Sequence, residues 1–154
     1  MITVYVPMDS SVLALGADSI AEHITDFAAQ HNIEIQLIRN GSRGMLWLEP
    51  LVEVQTDAGR VGYAAVEPEN TIALLHNGLL NGADLPCSIG LVDEHPYLKN
   101  QSRLTFARLG KTDPLNLADY AAHRGWAGLS AARLLTAQDI VTAVTESGLR
   151  GRGG

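Results

Sequence analysis

The opening 38 residues constrain the fold more tightly than any other part of the chain. Ile2, Val4 and Val6 alternate with Thr3 and Tyr5 up to Pro7, which is the period of a half-buried strand. From Asp9 or Ser10, either of them a suitable N-cap, the apolar residues Leu13, Ala17, Ile20, Ile24, Phe27 and Ala28 recur at spacings of three and four. That spacing predicts one amphipathic helix ending near His31 and Asn32. Ile33, Ile35, Leu37 and Ile38 then read as a second strand. A strand, a helix of this length and another strand join as a right-handed crossover, so the two strands lie parallel. The chain is thereby an α/β protein.

Past a loop over Asn40, Gly41, Ser42, Arg43 and Gly44, Leu51 to Gln55 predicts a third strand. Asp57, Ala58 and Gly59 form the turn, and Val61 to Ala65 returns as its antiparallel partner. Pro68 suits the first turn of a helix with an apolar stripe at Ile72, Leu75 and Leu79. The order β, α, β, β, β, α matches a thioredoxin-like fold, which sets a first domain at 1–82. From Gly82 to about Lys111 neither period persists around Pro86, Gly90 and Pro96, so 83–112 reads as a surface-clinging linker. Asp113 and Pro114 open a helical region, 113–154. One short helix carries Leu115, Leu117, Tyr120 and Ala121, and a second carries Leu129, Ala132 and Leu134. Thr136 caps a third with Ile140, Val141 and Val144 facing inward and Gly148 as its C′ residue.

Composition narrows function by exclusion. With 46% hydrophobic and only 5% aromatic residues, the core is mainly aliphatic, and a disordered chain is ruled out. A net charge of −6 repels polyanions, which argues against a nucleic-acid partner. No run approaches the roughly 20 apolar residues of a membrane span, and the N-terminus lacks the pattern of a signal peptide, so a cytoplasmic protein is expected. Cys87 is the single cysteine, which excludes an intrachain disulfide and a cysteine-ligated cluster or zinc site held by this chain alone. Beside Pro86 and with nothing basic close in sequence, Cys87 reads as an inert small hydrophobe. The histidines His23, His31, His76, His95 and His123 lie far apart in sequence, and Asp93, Glu94 and His95 read as a solvated loop. No catalytic residue and no metal site is expected.

The chain's last residues, Ser147 to Gly154, read SGLRGRGG. Glycines admit backbone N–H groups close to an oxyanion, and Arg150 and Arg152 carry the planar fork that grips phosphate. A helix cap running into a flexible tail accounts for the same residues, and an RNA-binding Arg-Gly-Gly unit is a third reading that the negative charge disfavours. Such a run has little to pack and costs entropy to order, so the chain is expected to be a piece of something longer.

SGLRGRGG resembles the start of the signature of the flavin-carrying, NADH-binding subunit shared by respiratory complex I, NAD-linked hydrogenases and soluble NAD-dependent formate dehydrogenases. The lead-in with Asp113, Pro114, Tyr120, Gly125, Trp126 and Leu129 is similar to theirs as well. NGSRGMLWLEP at 40–50, the following LVEVQTDAGRVGY and QSRLTFARLG at 101–110 resemble the N-terminal extension of the β subunit of the molybdenum-dependent formate dehydrogenases. That extension is similar to thioredoxin-like [2Fe–2S] domains.

The resemblance implies an oxidoreductase subunit that passes electrons from formate oxidation through Fe–S clusters and FMN to NAD⁺. Gly151, Arg152, Gly153 and Gly154 would form part of its FMN site in the intact subunit. It also implies that the loop after the second strand holds cluster cysteines in relatives. Asn40 to Gly44 offers none, and Arg124 stands where many relatives have a second glycine. The expected role is therefore a cluster-free docking and structural region, inactive by itself and with no cofactor of its own. FMN, NAD and the [4Fe–4S] cluster belong to the intact subunit. Its expected partners are the flavin domain of its own subunit and the other formate dehydrogenase subunits. Self-association is a further expectation if Leu134, Leu135 and Ile140 lie bare. The alternative is a freestanding thioredoxin-like interaction module without redox chemistry.

Overall fold

In a computed structural model, residues 1–151 are described, and the chain divides into two compact units, 1–116 and 117–154. The first unit contains β1 (Ile2–Tyr5), α1 (Ser10–Leu13), α2 (Ala17–Gln30), β2 (Ile35–Ile38), β3 (Val52–Thr56), β4 (Gly59–Tyr63), α3 (Pro68–His76), β5 (Ser88–Leu91) and α4 (Pro96–Lys99). The sheet order is β2-β1-β3-β4-β5. As the crossover rule requires, β1 and β2 are parallel, with Ile2 opposite Ile35 and Tyr5 opposite Ile38. The other pairs are antiparallel, and Asp57 and Ala58 alone separate the paired Thr56 and Gly59 of the β3–β4 hairpin. The α/β, thioredoxin-like architecture follows.

Two expectations about elements are corrected. The single helix from Asp9 to Asn32 is broken, because Gly16 adopts φ +89° and begins α2 afresh. A Cβ on Gly16 would stand 2.6 Å from the Pro68 ring, so the first residue of α3 packs directly on the break. Within 83–112, read as a linker, Ser88–Leu91 adds a fifth strand to the sheet edge. Gly62 makes room for it, since a Cβ there would meet Val92 at 2.8 Å and Ile89 at 2.9 Å.

Strand alternation divides the interior. One face of the sheet carries Val4, Val6, Val52, Val54 and Tyr63, which pack with Ile20, Ile24 and Phe27 of α2 and Leu75 of α3 in the main core. Residues of opposite parity face the other side, where a small cluster of Met45, Leu51 and Val92 forms with Leu48, Ile89 and Leu98 around it. No long helix supplies this second layer. The 40–50 loop and the segment after β5 do.

The second unit contains α5 (Leu117–Ala122), α6 (Ala127–Ala132) and α7 (Ala137–Glu146). Thr136 caps α7 reciprocally with Asp139, and Gly148 takes φ +64° beyond its end, both as the sequence predicts. The inward face expected for α7 is not found: Ile140, Val141 and Val144 are 36, 58 and 56% exposed. Leu134 and Leu135 are bare too. A unit of this size has too little partner surface to cover an apolar stripe. No described helix is long and apolar enough to cross a membrane.

Candidate functional site

The loop that the resemblance aligns with cluster-bearing loops holds a buried ionic network. Glu53 sits in β3 with parity opposite to Val52 and Val54, so its carboxylate enters the second face beside Tyr5 of β1, its register partner. Arg43 reaches it from the loop. Its Nε donates to Glu53 Oε1 at 2.8 Å and Nη2 to Oε2 at 2.7 Å, the bidentate geometry a guanidinium favours. Arg43 is 3% and Glu53 1% exposed, so this pair lies in the interior. Nη1 of Arg43 donates to Asp93 at 3.0 Å, and Arg60 from β4 adds a longer contact to Glu53 at 3.3 Å while lying 3.5 Å over the Tyr5 ring. Burial alone would lower the affinity of Arg43 for its proton; the hydrogen bonds and charges of Glu53 and Asp93 outweigh it and hold the guanidinium above its ordinary value.

The rest of the loop is tied as firmly. Ser42 Oγ donates to Glu49 Oε1 at 2.7 Å, and Leu51 N–H donates to Glu49 Oε2 at 2.8 Å. Asp9 accepts from the Ser42 N–H, so the residue read as a helix N-cap spends its carboxylate on this loop. Burial pushes the Glu49 carboxyl above the usual range despite those two hydrogen bonds, which act in the opposite direction. Asn40 Nδ2 donates to the Gly110 carbonyl at 2.8 Å, and Arg60 donates to the carbonyls of Gly110 at 3.3 Å and Lys111 at 3.1 Å. Arg103 Nη2 donates to the Arg43 carbonyl at 3.0 Å. Residues 103–111 are thereby strapped across the loop. Gly110 is required there: its φ is +75°, and a Cβ would stand 2.2 Å from Arg43 Cδ.

This donor set does not fit an iron–sulfur cluster. Serine, arginine and asparagine offer no thiolates, and the positive charge in the loop is already neutralised by Glu53 and Asp93. Among the described residues, no group of three or more His, Cys, Asp and Glu is placed to hold a metal ion. Cys87 is half-buried against the main core, and burial pushes its thiol up, away from reactivity.

Of the residues the resemblance assigns to FMN, Gly151 is exposed with open space around its Cα, and Arg152, Gly153 and Gly154 lie outside the described residues. The lead-in motif acquires a physical basis. Tyr120 and Trp126 meet edge to face with centroids 5.0 Å apart, and a Cβ on Gly125 would lie 2.2 Å from the Tyr120 ring, so only glycine fits between them.

Sequence spacing missed two groupings. Glu53 was hidden as one charge within an apolar strand, although a lone carboxylate in LVEV is the signal that a buried partner exists. His31 and His76, distant in sequence, come together across α2 and α3. The His31 ring stacks on Phe27 at 4.0 Å, and His76 lies edge-on at 5.8 Å from His31. Asp93, Glu94 and His95 are divided among different partners: Arg43, Lys99 and the Tyr97 N–H.

No protein-family model matches this chain. A 56-residue stretch is 43% identical to the NADP-reducing hydrogenase subunit HndC of Solidesulfovibrio fructosivorans, covering 36% of this chain and 11% of that protein. The chain thus spans about a tenth of the length of that relative. Among solved structures, the thioredoxin-like [2Fe–2S] ferredoxin from Aquifex aeolicus is similar over 62% of this chain and 96% of its own, with a TM-score of 0.51 at 16% identity. A serine-for-cysteine variant of that ferredoxin gives 0.47 at 18% identity over 58% of this chain and 99% of its own. The chain has a thioredoxin-like fold and is similar in sequence to a subunit of an oxidoreductase complex.

Proposed function

We propose that the chain is the docking and structural N-terminal region of the β subunit of an NAD-dependent formate dehydrogenase. The intact subunit, by its resemblance, passes electrons from formate oxidation through Fe–S and FMN to NAD⁺. In this reading the thioredoxin-like domain extends through the first unit, with the strand Ser88–Leu91 as part of its sheet, and the second unit leads into the flavin domain, where Gly151, Arg152, Gly153 and Gly154 would approach the FMN phosphate and ring. Its partners are that flavin domain and the other subunits of the complex.

One observation carries the docking role. The three stretches that resemble the formate dehydrogenase extension, 40–50, 51–63 and 101–110, supply nearly all of one buried network: Ser42, Arg43, Glu49, Glu53, Arg60, Arg103 and Gly110. Where relatives carry cluster ligands, these residues neutralise one another and rigidify the loop. A rigid, self-satisfied surface suits docking and not electron transfer.

The match to a hydrogenase subunit favours a second reading with the same flavin chemistry and hydrogen as donor. One experiment separates them. The full-length protein bearing this sequence, tagged in its own cell and purified with its partners, should reduce NAD⁺ with formate and not with H₂. Reduction driven by H₂ alone would establish the second reading. The isolated 154-residue chain should be colourless and fail to reduce a dye with NADH. Bound flavin, or dye reduction, would overturn the docking role.

A further inference from the structure

Four of the eleven Lys and Arg side chains in this acidic chain converge on one groove of about 350 Å³ in the first unit: Arg43, Lys99, Arg103 and Lys111. Two of them are neutralised. Arg43 is matched by Glu53 and Asp93, and Lys99 by Glu94. Arg103 and Lys111 have no carboxylate within ion-pair distance among the described residues.

Arg103 is also held in place. Its Nε donates to Gln101 Oε1 at 2.8 Å and its Nη2 to the Arg43 carbonyl at 3.0 Å. Nη1 is left to donate, on a guanidinium whose rotamers are already restricted. An ordered cation facing a groove loses little further entropy when it takes a ligand. Lys111 adds a compact second charge on the same groove, and Asp93 and Glu94 are occupied by Arg43 and Lys99.

We propose that this groove binds a phosphate group, with the Arg103 guanidinium and the Lys111 ammonium as its ligands. Two uncompensated positive charges match the charge of a phosphate near neutral pH, about −2, where a carboxylate would satisfy only one. The volume admits a phosphate with part of the molecule bearing it. The inference is independent of the formate reading, because it uses neither the flavin signature nor any redox chemistry.

The test is a ³¹P NMR titration of the 154-residue chain with inorganic phosphate and with pyrophosphate at low ionic strength, with malonate as a carboxylate comparison. Saturable binding of both phosphates is expected, weakened about tenfold in Arg103→Gln and again in Lys111→Gln. Arg39→Gln, which removes the same charge from a guanidinium already paired with Asp18, should bind as the parent does. Lys111 makes no hydrogen bond through its side chain among the described residues, so Lys111→Gln keeps the test decisive if Arg103→Gln unfolds. Unchanged affinity in Lys111→Gln overturns the proposal. So does an equal loss in Arg39→Gln, which would mark nonspecific charge, or malonate binding as tightly as pyrophosphate, which would reassign the groove to carboxylates.

Discussion

Replacing Arg43 by methionine probes the buried pair with Glu53 most directly. The substitution removes two hydrogen bonds, of 2.8 and 2.7 Å, from a carboxylate that is 1% exposed, and leaves it one contact to Arg60 at 3.3 Å. Breaking one side of such a pair costs about 3–5 kcal/mol, because the remaining charge stays desolvated. The Arg60 contact places the cost near the lower limit, about 3 kcal/mol. With a urea slope of about 2 kcal/mol/M, the midpoint should fall by about 1.5 M at pH 7. Removing both charges, in Arg43→Met with Glu53→Leu, should return stability to within about 1 kcal/mol of the parent, since an apolar pair of similar volume has no desolvated ion. Urea unfolding followed by far-UV circular dichroism measures all four corners of the cycle. A loss below about 1 kcal/mol in Arg43→Met, or a double variant as unstable as the summed singles, would refute the account of the network as a mutually dependent buried pair.

Glu49 gives a pH prediction whose sign is fixed by its raised carboxyl. Its contribution to stability is fully present below the unfolded value, near ~4.3, and is lost as pH rises through the higher folded value. Glu49→Gln should therefore flatten that fall in urea midpoints between pH 4 and 8 and be no less stable than the parent at pH 7; a marked loss at pH 7 would contradict it. Gly110→Ala forces a left-handed alanine against Arg43, and a loss of about 1–3 kcal/mol in the same assay is expected, whereas a neutral result would show that the strap does not seat on the loop. The Tyr63 hydroxyl donates to the Ala83 carbonyl at 2.8 Å, and burial foremost, then the charges of Cys87 and Asp84, pushes its phenol up to about 12. Ultraviolet titration should find a tyrosine component still protonated at pH 11, and Tyr63→Phe should abolish that late component.

Local chemistry made much of the fold legible. Alternation in 2–6, the three-and-four spacing through α2, and Pro68 at the start of α3 each act over a few residues, and each survives in the structure. Thr136 and Gly148 mark the ends of α7 for the same reason, since a cap is a bond between near neighbours. Gly16 escaped the periodicity because the spacing from Leu13 to Ala17 continues straight across it, while the close approach that excludes a side chain there comes from Pro68, 52 residues away in the chain. The strand Ser88–Leu91 carries no pattern of its own, with Pro86 before it and Gly90 within it; pairing with β4 creates it.

The amino-acid sequence by itself determined the parallel β1–α2–β2 crossover, the β3–β4 hairpin, the helical nature of the second unit, and the absence of thiolates from the 40–44 loop. All of these depend on residue type and near spacing. Only the tertiary structure decided what occupies that loop. Arg43, Glu53, Asp93 and Gly110 are separated by up to 67 residues, and no periodicity relates them. They meet because strand parity turns Glu53 to the sheet face that no long helix covers, where a buried carboxylate must find a cation. It finds Arg43, and the backbone from Arg103 to Lys111 closes over the pair.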